Sequence, residues 1–122
     1  MYEYKAKVIN VVDGDTLDLD IDLGFDTHIV GGERGRIRLY GINTPEKTGA
    51  TKEAGLKATE FTKAAVLGKT VTVRTIKDKQ EKFGRLLGTI IYRQDLISVI
   101  DLDLAKELIA AGLGVEYFGG KR

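Results

Sequence analysis

Residues 17–23, LDLDIDL, alternate without a break between aliphatic and aspartate side chains. A period of two belongs to a β-strand, so Leu17, Leu19, Ile21 and Leu23 are expected on the core side, with Asp18, Asp20 and Asp22 on a solvated face. Alternation recurs over 4–12, over 36–42 (RIRLYGI), over 70–76 (TVTVRTI) and over 85–92 (RLLGTIIY). Five strands are therefore expected. Asp13-Gly14-Asp15 joins the first two, GFDTHIVGGERG is a long excursion with a Gly31-Gly32 turn, and the charged stretch KDKQEKFG links the last two.

Helical periodicity appears twice. From about 50 to 67, Ala54, Ala58, Phe61 and Ala65 form one stripe, with Lys52, Lys57, Glu60 and Lys63 off it. Asp103 can cap a second helix over 104–111, LAKELIAA, which Gly112 ends. Three strands, a helix, two strands and a short helix predict an α+β fold: a five-stranded OB-fold-type β-barrel with two helices. With 122 residues the chain is expected to be one domain, 1–122, with 119–122 a short C-terminal tail.

Composition narrows the chemistry. There is no cysteine, hence no disulfide, thiolate nucleophile or sulfur-ligated metal, and His28 is the single histidine, which excludes a multi-histidine zinc site. Any metal must be held by oxygen, which favours Ca²⁺ or Mg²⁺. A formal charge of +1 gives no bulk basicity, so phosphate recognition would need local clustering. No apolar run is long enough to span a membrane, and the first residues, MYEYKAKVINVV, alternate like a strand rather than a signal peptide. A cytoplasmic protein is expected, a removed leader aside.

Three clusters carry candidate chemistry. Counted back along the second strand, Asp15 has the parity of the leucines and turns toward the core, where an unpaired carboxylate costs several kcal/mol. It calls for a partner, although a bulge at Gly14 would shift the face. Asp18-x-Asp20-x-Asp22 resembles the start of an EF-hand loop, yet the positions that require glycine and glutamate hold Leu23 and Ile29. The EF-hand fails. Gly41-Ile42-Asn43-Thr44-Pro45-Glu46 follows the strand bearing Arg36 and Arg38, and on its own it reads first as the approach to a helix. Lys82-Phe83-Gly84-Arg85 could equally be a turn with a surface arginine. Together they bring carboxylates for a cation, arginines for phosphate and a glutamate for a proton.

As an ordered set, Asp13-Gly14-Asp15-Thr16, then Arg38 five residues before Asn43-Thr44-Pro45-Glu46, then Phe83-Gly84-Arg85 resembles the staphylococcal nuclease (thermonuclease) family, from about residue 5 to 118. The resemblance implies a Ca²⁺-dependent endonuclease acting on DNA or RNA and leaving 3′-phosphate and 5′-hydroxyl ends; a barrel groove that accepts one strand and stacks its bases adds a preference for single-stranded or fraying substrate. The resemblance also implies Asp15, Asn43 and the main-chain carbonyl of Thr44 as cation ligands, with Asp13 in or beside the shell. Glu46 would be the general base, and Arg38 and Arg85 the phosphate clamps. Apart from the resemblance, Tyr117, Tyr40 and Phe83 could each stack on a base or equally belong to the core. A monomer is expected.

The sequence also departs from the family. Asn43 stands where a ligand aspartate is usual, removing a charge but keeping a carbonyl oxygen. Phe83 replaces a tyrosine, the segment from Asp15 to Arg38 is longer, and the sequence ends at Arg122 short of the family's last helix. The alternative is the same barrel as a non-catalytic module that binds nucleic acid or protein; relatives of that kind lose the carboxylates and arginines that this chain keeps at Asp15, Arg38, Glu46 and Arg85.

Overall fold

The computed structural model describes residues 2–31, 35–80, 86–95, 97 and 99–118. In chain order it contains β1 (Tyr2–Asp13), β2 (Thr16–Asp22), β3 (His28–Val30), β4 (Arg36–Leu39), β5 (Gly41–Asn43), α1 (Lys52–Val66), β6 (Thr70–Gln80), β7 (Leu86–Tyr92), β8 (Leu102–Asp103), α2 (Leu104–Ala110) and β9 (Val115–Tyr117). The long β1 pairs antiparallel with both β2 and β6, β6 pairs with β7, and β2 with β4. A parallel pairing of β4 with β7 closes the ring. The five expected strands thus form a mixed five-stranded barrel of the OB type with two helices, as the alternation predicts. Register shifts between Val8 and Asn10 and between Val11 and Asp13 mark bulges, which bend β1 around the barrel.

Leu17, Leu19, Ile37, Leu39, Val73 and Ile90 fill the barrel, and Ala58, Val66, Leu104 and Leu108 of the helices close over it. Burying a leucine of this kind contributes about 1.5–3 kcal/mol. The expected aliphatic face of β2 holds at Leu17, Leu19 and Ile21 and stops at Leu23, which is exposed because the strand ends at Asp22 and a turn begins. Asp20 and Asp22 lie toward solvent as expected, but Asp18 does not: it is 7% exposed. Its face is covered by neighbouring strands, and Arg36 of β4 donates to both its oxygens, through Nε at 2.8 Å and Nη2 at 3.2 Å.

Two other expectations are corrected. The excursion after β2 contains a strand of its own, β3, reached through a turn in which Thr27 N–H donates to the Gly24 carbonyl at 2.9 Å, with Phe25 and Asp26 in left-handed conformation between them. The single strand expected over 36–42 breaks at Tyr40 into β4 and β5, because β5 leaves the barrel to pair with β9.

Helix α1 forms where expected but presents a different face. Its buried residues are Gly55, Ala58, Thr59, Thr62 and Val66, whereas Ala54 is exposed and Phe61 and Ala65 are only half-buried. The reason is close backbone packing. A Cβ on Gly14 would lie 2.8 Å from the Ala58 Cβ, and one on Gly55 would collide with the Glu46 carbonyl. Small residues win that face, and its threonines are buried with their hydroxyls satisfied, Thr59 by the Gly55 carbonyl at 2.9 Å and Thr62 by the Gly14 carbonyl at 2.8 Å. Helix α2 starts as expected, its Lys106 N–H donating to the Asp103 carboxylate at 3.2 Å. Among the described residues no helix is long and apolar enough to cross a membrane.

Candidate active site

Helix α1 rests on both the Asp13-Gly14-Asp15 turn and the segment at Glu46, so it fixes the two loops against each other. Between them lies a polar cluster drawn from three stretches of chain. Asp15, at the mouth of the β1–β2 turn, is 6% exposed, and the parity argument for an inward carboxylate is correct. It also has the partner that burial demands. One oxygen accepts from the Thr44 backbone N–H at 3.2 Å and from Arg38 Nη2 at 3.4 Å, and the other accepts from the Thr16 hydroxyl at 3.2 Å.

Arg38 is itself 5% exposed. Its pairing with Thr16 across β2 and β4 sets the guanidinium beside Asp15, and the Leu39 N–H donates to the Asp15 carbonyl at 2.8 Å from the next position. Nη2 also donates to Asn43 Oδ1 at 3.2 Å, and Nη1 to the Leu39 carbonyl at 3.4 Å. The Tyr117 ring lies 5.7 Å from the guanidinium carbon, a cation–π arrangement. Tyr117 is here because β9 pairs with β5, placing it opposite Gly41 and Val115 opposite Asn43. Tyr40 packs edge-on against Phe118, with ring centroids 5.5 Å apart.

Asp15, Arg38, Asn43, Thr44 and Tyr117 are thus brought together. Asp13 stands aside: half-buried, it pairs with Lys47 Nζ at 3.7 Å. Glu46 is exposed at the rim, and its carbonyl accepts from the Thr51 hydroxyl at 2.8 Å, which ties it to the start of the helix. Phe83 and Arg85 lie outside the described residues. Arg36 is engaged by Asp18 instead, whose carboxyl is held below the usual carboxylate range chiefly by that hydrogen bond, with a smaller contribution from Asn10.

The oxygens on offer suit a hard cation. Asp15 supplies a carboxylate, Asn43 an amide oxygen, and Thr44 main-chain and hydroxyl oxygens; the buried Thr44 hydroxyl has no hydrogen-bond partner among the described residues. An orphaned buried hydroxyl beside a carboxylate fits an oxygen-coordinated ion or its water. Among the described residues no three His, Asp or Glu side chains gather, so such a site would carry little negative charge. The Tyr117–Arg38 contact escapes a reading of sequence, since it depends on the pairing of β9 with β5.

The sequence model of the family described as "Staphylococcal nuclease homologue" matches residues 36–121. The chain belongs to the staphylococcal nuclease family. That stretch contains Arg38, Asn43, Thr44, Glu46, Phe83, Arg85 and Tyr117, and Asp15 joins it through its bonds to Arg38 and Thr44. The thermonuclease of Staphylococcus hyicus is 29% identical over a match covering 88% of this chain and 59% of that protein. The thermonuclease of Staphylococcus intermedius is 30% identical, covering 84% and 56%. An uncharacterized protein of Methanocaldococcus jannaschii is 32% identical, covering 71% and 48%. This member of the staphylococcal nuclease family therefore spans about half the length of these relatives.

Proposed function

We propose that the protein is a Ca²⁺-dependent endonuclease that hydrolyses phosphodiester bonds of single-stranded or fraying DNA or RNA, leaving 3′-phosphate and 5′-hydroxyl ends. The observation that carries this reading is the convergence of Asp15, Arg38, Asn43 and Thr44, a carboxylate, a guanidinium and neutral oxygens from three chain segments in one buried cluster. Family membership and the two thermonuclease relatives support the same reading.

Asp15, Asn43 and the Thr44 carbonyl would hold the cation, with Asp13 nearby. When bound, the cation offsets charge on a phosphate oxygen. Arg38 and, from its place in the family motif, Arg85 donate paired hydrogen bonds to the phosphate as it becomes phosphorane-like. Glu46 takes a proton from the attacking water, a role its exposed position at the rim allows. Tyr117, Tyr40 and Phe83 offer surfaces on which unpaired bases stack, which favours single strands over duplex.

Incubation with end-labelled single-stranded DNA, duplex DNA and RNA, in Ca²⁺ and in EDTA, tests the proposal. Cleavage in Ca²⁺ alone, fastest on the single strand, is expected. Retention of nucleic acid without cleavage would favour the non-catalytic module.

A further inference from the structure

A cation held by Asp15 and Asn43 would have to stand where Arg38 already places its charge. One nitrogen, Nη2, bridges Asp15 Oδ2 at 3.4 Å and Asn43 Oδ1 at 3.2 Å. Both bonds are longer than the roughly 2.7–2.9 Å of a well-made charge-assisted contact. The guanidinium therefore spans the two oxygens without binding either tightly.

Charge makes the arrangement exclusive. The one ion pair of Asp15 among the described residues is with Arg38, and Asn43 contributes no charge, so the buried pair is neutral as it stands. A dication in contact with the same two oxygens would add its two charges beside a buried guanidinium, with Asp15 the one buried carboxylate touching it among the described residues. Coulomb repulsion at such a separation, and in such burial, opposes holding both charges on the same two oxygens. Arg38 also has contacts that do not involve the two oxygens, the Tyr117 ring and the Leu39 carbonyl, and these can hold the side chain after it lets go.

We propose that Arg38 is the resident cation of the metal-free cluster, and that a divalent cation enters by displacing its guanidinium from Asp15 and Asn43. The swap ties two events together: the donors of Arg38 become free for phosphate only when the cation has arrived. Cation would bind before substrate, and its affinity would be lowered by the bonds it must break. This rests on the nuclease reading for the identity of the ion, and Asn43 is what makes the resting cluster neutral.

Ca²⁺ alone, without nucleic acid, is the probe. In the ¹⁵N-labelled wild type, the Arg38 Nε–H resonance is expected to shift and to exchange faster with water as Ca²⁺ is added, while that of Arg36 stays put. By calorimetry Arg38→Met is expected to bind Ca²⁺ at least about tenfold more tightly than the wild type, the scale of one lost charge-assisted hydrogen bond. Arg36→Met removes an equal charge from the same strand and is the control for bulk electrostatics. If Ca²⁺ saturates the wild type with the Arg38 resonance unmoved, or if Arg38→Met binds no more tightly than Arg36→Met, the displacement is wrong and the nuclease reading survives. If neither wild type nor Arg38→Met binds Ca²⁺, both fall. Should Arg38→Met fail to fold with Asp15 unpaired, the wild-type resonance decides alone.

Discussion

The Thr62 hydroxyl donates to the Gly14 carbonyl at 2.8 Å, bonding the middle of α1 to the turn that carries Asp15. The bond spans 48 residues of sequence and is buried. It makes the position of the carboxylate depend on the seating of a helix.

Disturbing that seating should therefore harm stability and site together. Thr62→Val keeps shape but leaves a buried carbonyl unpaired, a cost of about 1–3 kcal/mol. Gly14→Ala must push α1 outward, since the new Cβ would meet the Ala58 Cβ at 2.8 Å, and overpacking of this kind costs about 1–3 kcal/mol. Urea denaturation measures both. A Gly14→Ala protein as stable as the wild type would mean that the helix does not bear on the turn.

The Asp18–Arg36 pair gives a signed pH dependence. Asp18 has its pKa lowered, first by the Arg36 hydrogen bond, so its contribution to stability is complete above the unfolded carboxylate pKa and is lost as pH falls through the lower folded value. Asp18→Asn should be less stable than wild type at neutral pH, by about 1–3 kcal/mol for a lost hydrogen-bonded charge, and the gap should close in acid. Urea midpoints at neutral pH and below the ordinary carboxylate pKa test this. A gap that persists undiminished in acid would remove the ion pair as its cause. Serine at the exposed Asp22 should leave Ca²⁺ binding unchanged.

On the nuclease reading, Glu46→Gln, Arg38→Ala and Arg85→Ala should each lower kcat by at least about 100-fold, the usual scale for a positioned base or a transition-state charge donor. Arg36→Ala should cost stability through Asp18 and far less rate once corrected for folded fraction. Steady-state kinetics on single-stranded DNA separates the two arginines. Equal losses in kcat at Arg36 and Arg38 would mean that the wrong arginine has been assigned to phosphate.

Much of the fold is legible in the sequence alone. Period-two alternation locates all five barrel strands, because each buries one face, and Asp103 marks α2 because a cap acts within a single turn. What escapes depends on distant partners. Asp18 and Asp20 share a parity, and only the adjacency of β4 separates the buried, Arg36-bound carboxylate from the half-buried one. The α1 stripe is misplaced for a related reason: periodicity weighs apolar bulk, whereas this face packs on backbone and selects Gly55, Thr59 and Thr62 for size. At the site, the spacing of Asp15, Arg38 and Asn43 suggests company but not that one guanidinium nitrogen bridges the other two.

Asn43 supplies the last prediction, with two opposing effects to weigh. Asn43→Asp adds a negative charge beside both Arg38 and any cation at Asp15. Charge count tunes Ca²⁺ affinity, and a carboxylate coordinates more strongly than an amide oxygen. The same charge also holds the guanidinium more firmly, which opposes entry of the ion. A dication gains twice what a monocation gains from each added charge at equal distance, so the balance favours Ca²⁺. Binding should tighten by on the order of tenfold, about 1.4 kcal/mol, and by more when Arg38 is methionine. Turnover at saturating Ca²⁺ need not rise, since tighter ground-state binding does not by itself stabilise a transition state. Calorimetry on wild type, Asn43→Asp and the double variant, with activity titrated against Ca²⁺ in the first two, separates affinity from rate. An unchanged or weaker dissociation constant in Asn43→Asp would place residue 43 away from the ion and leave Asp15 as the only side-chain ligand proposed.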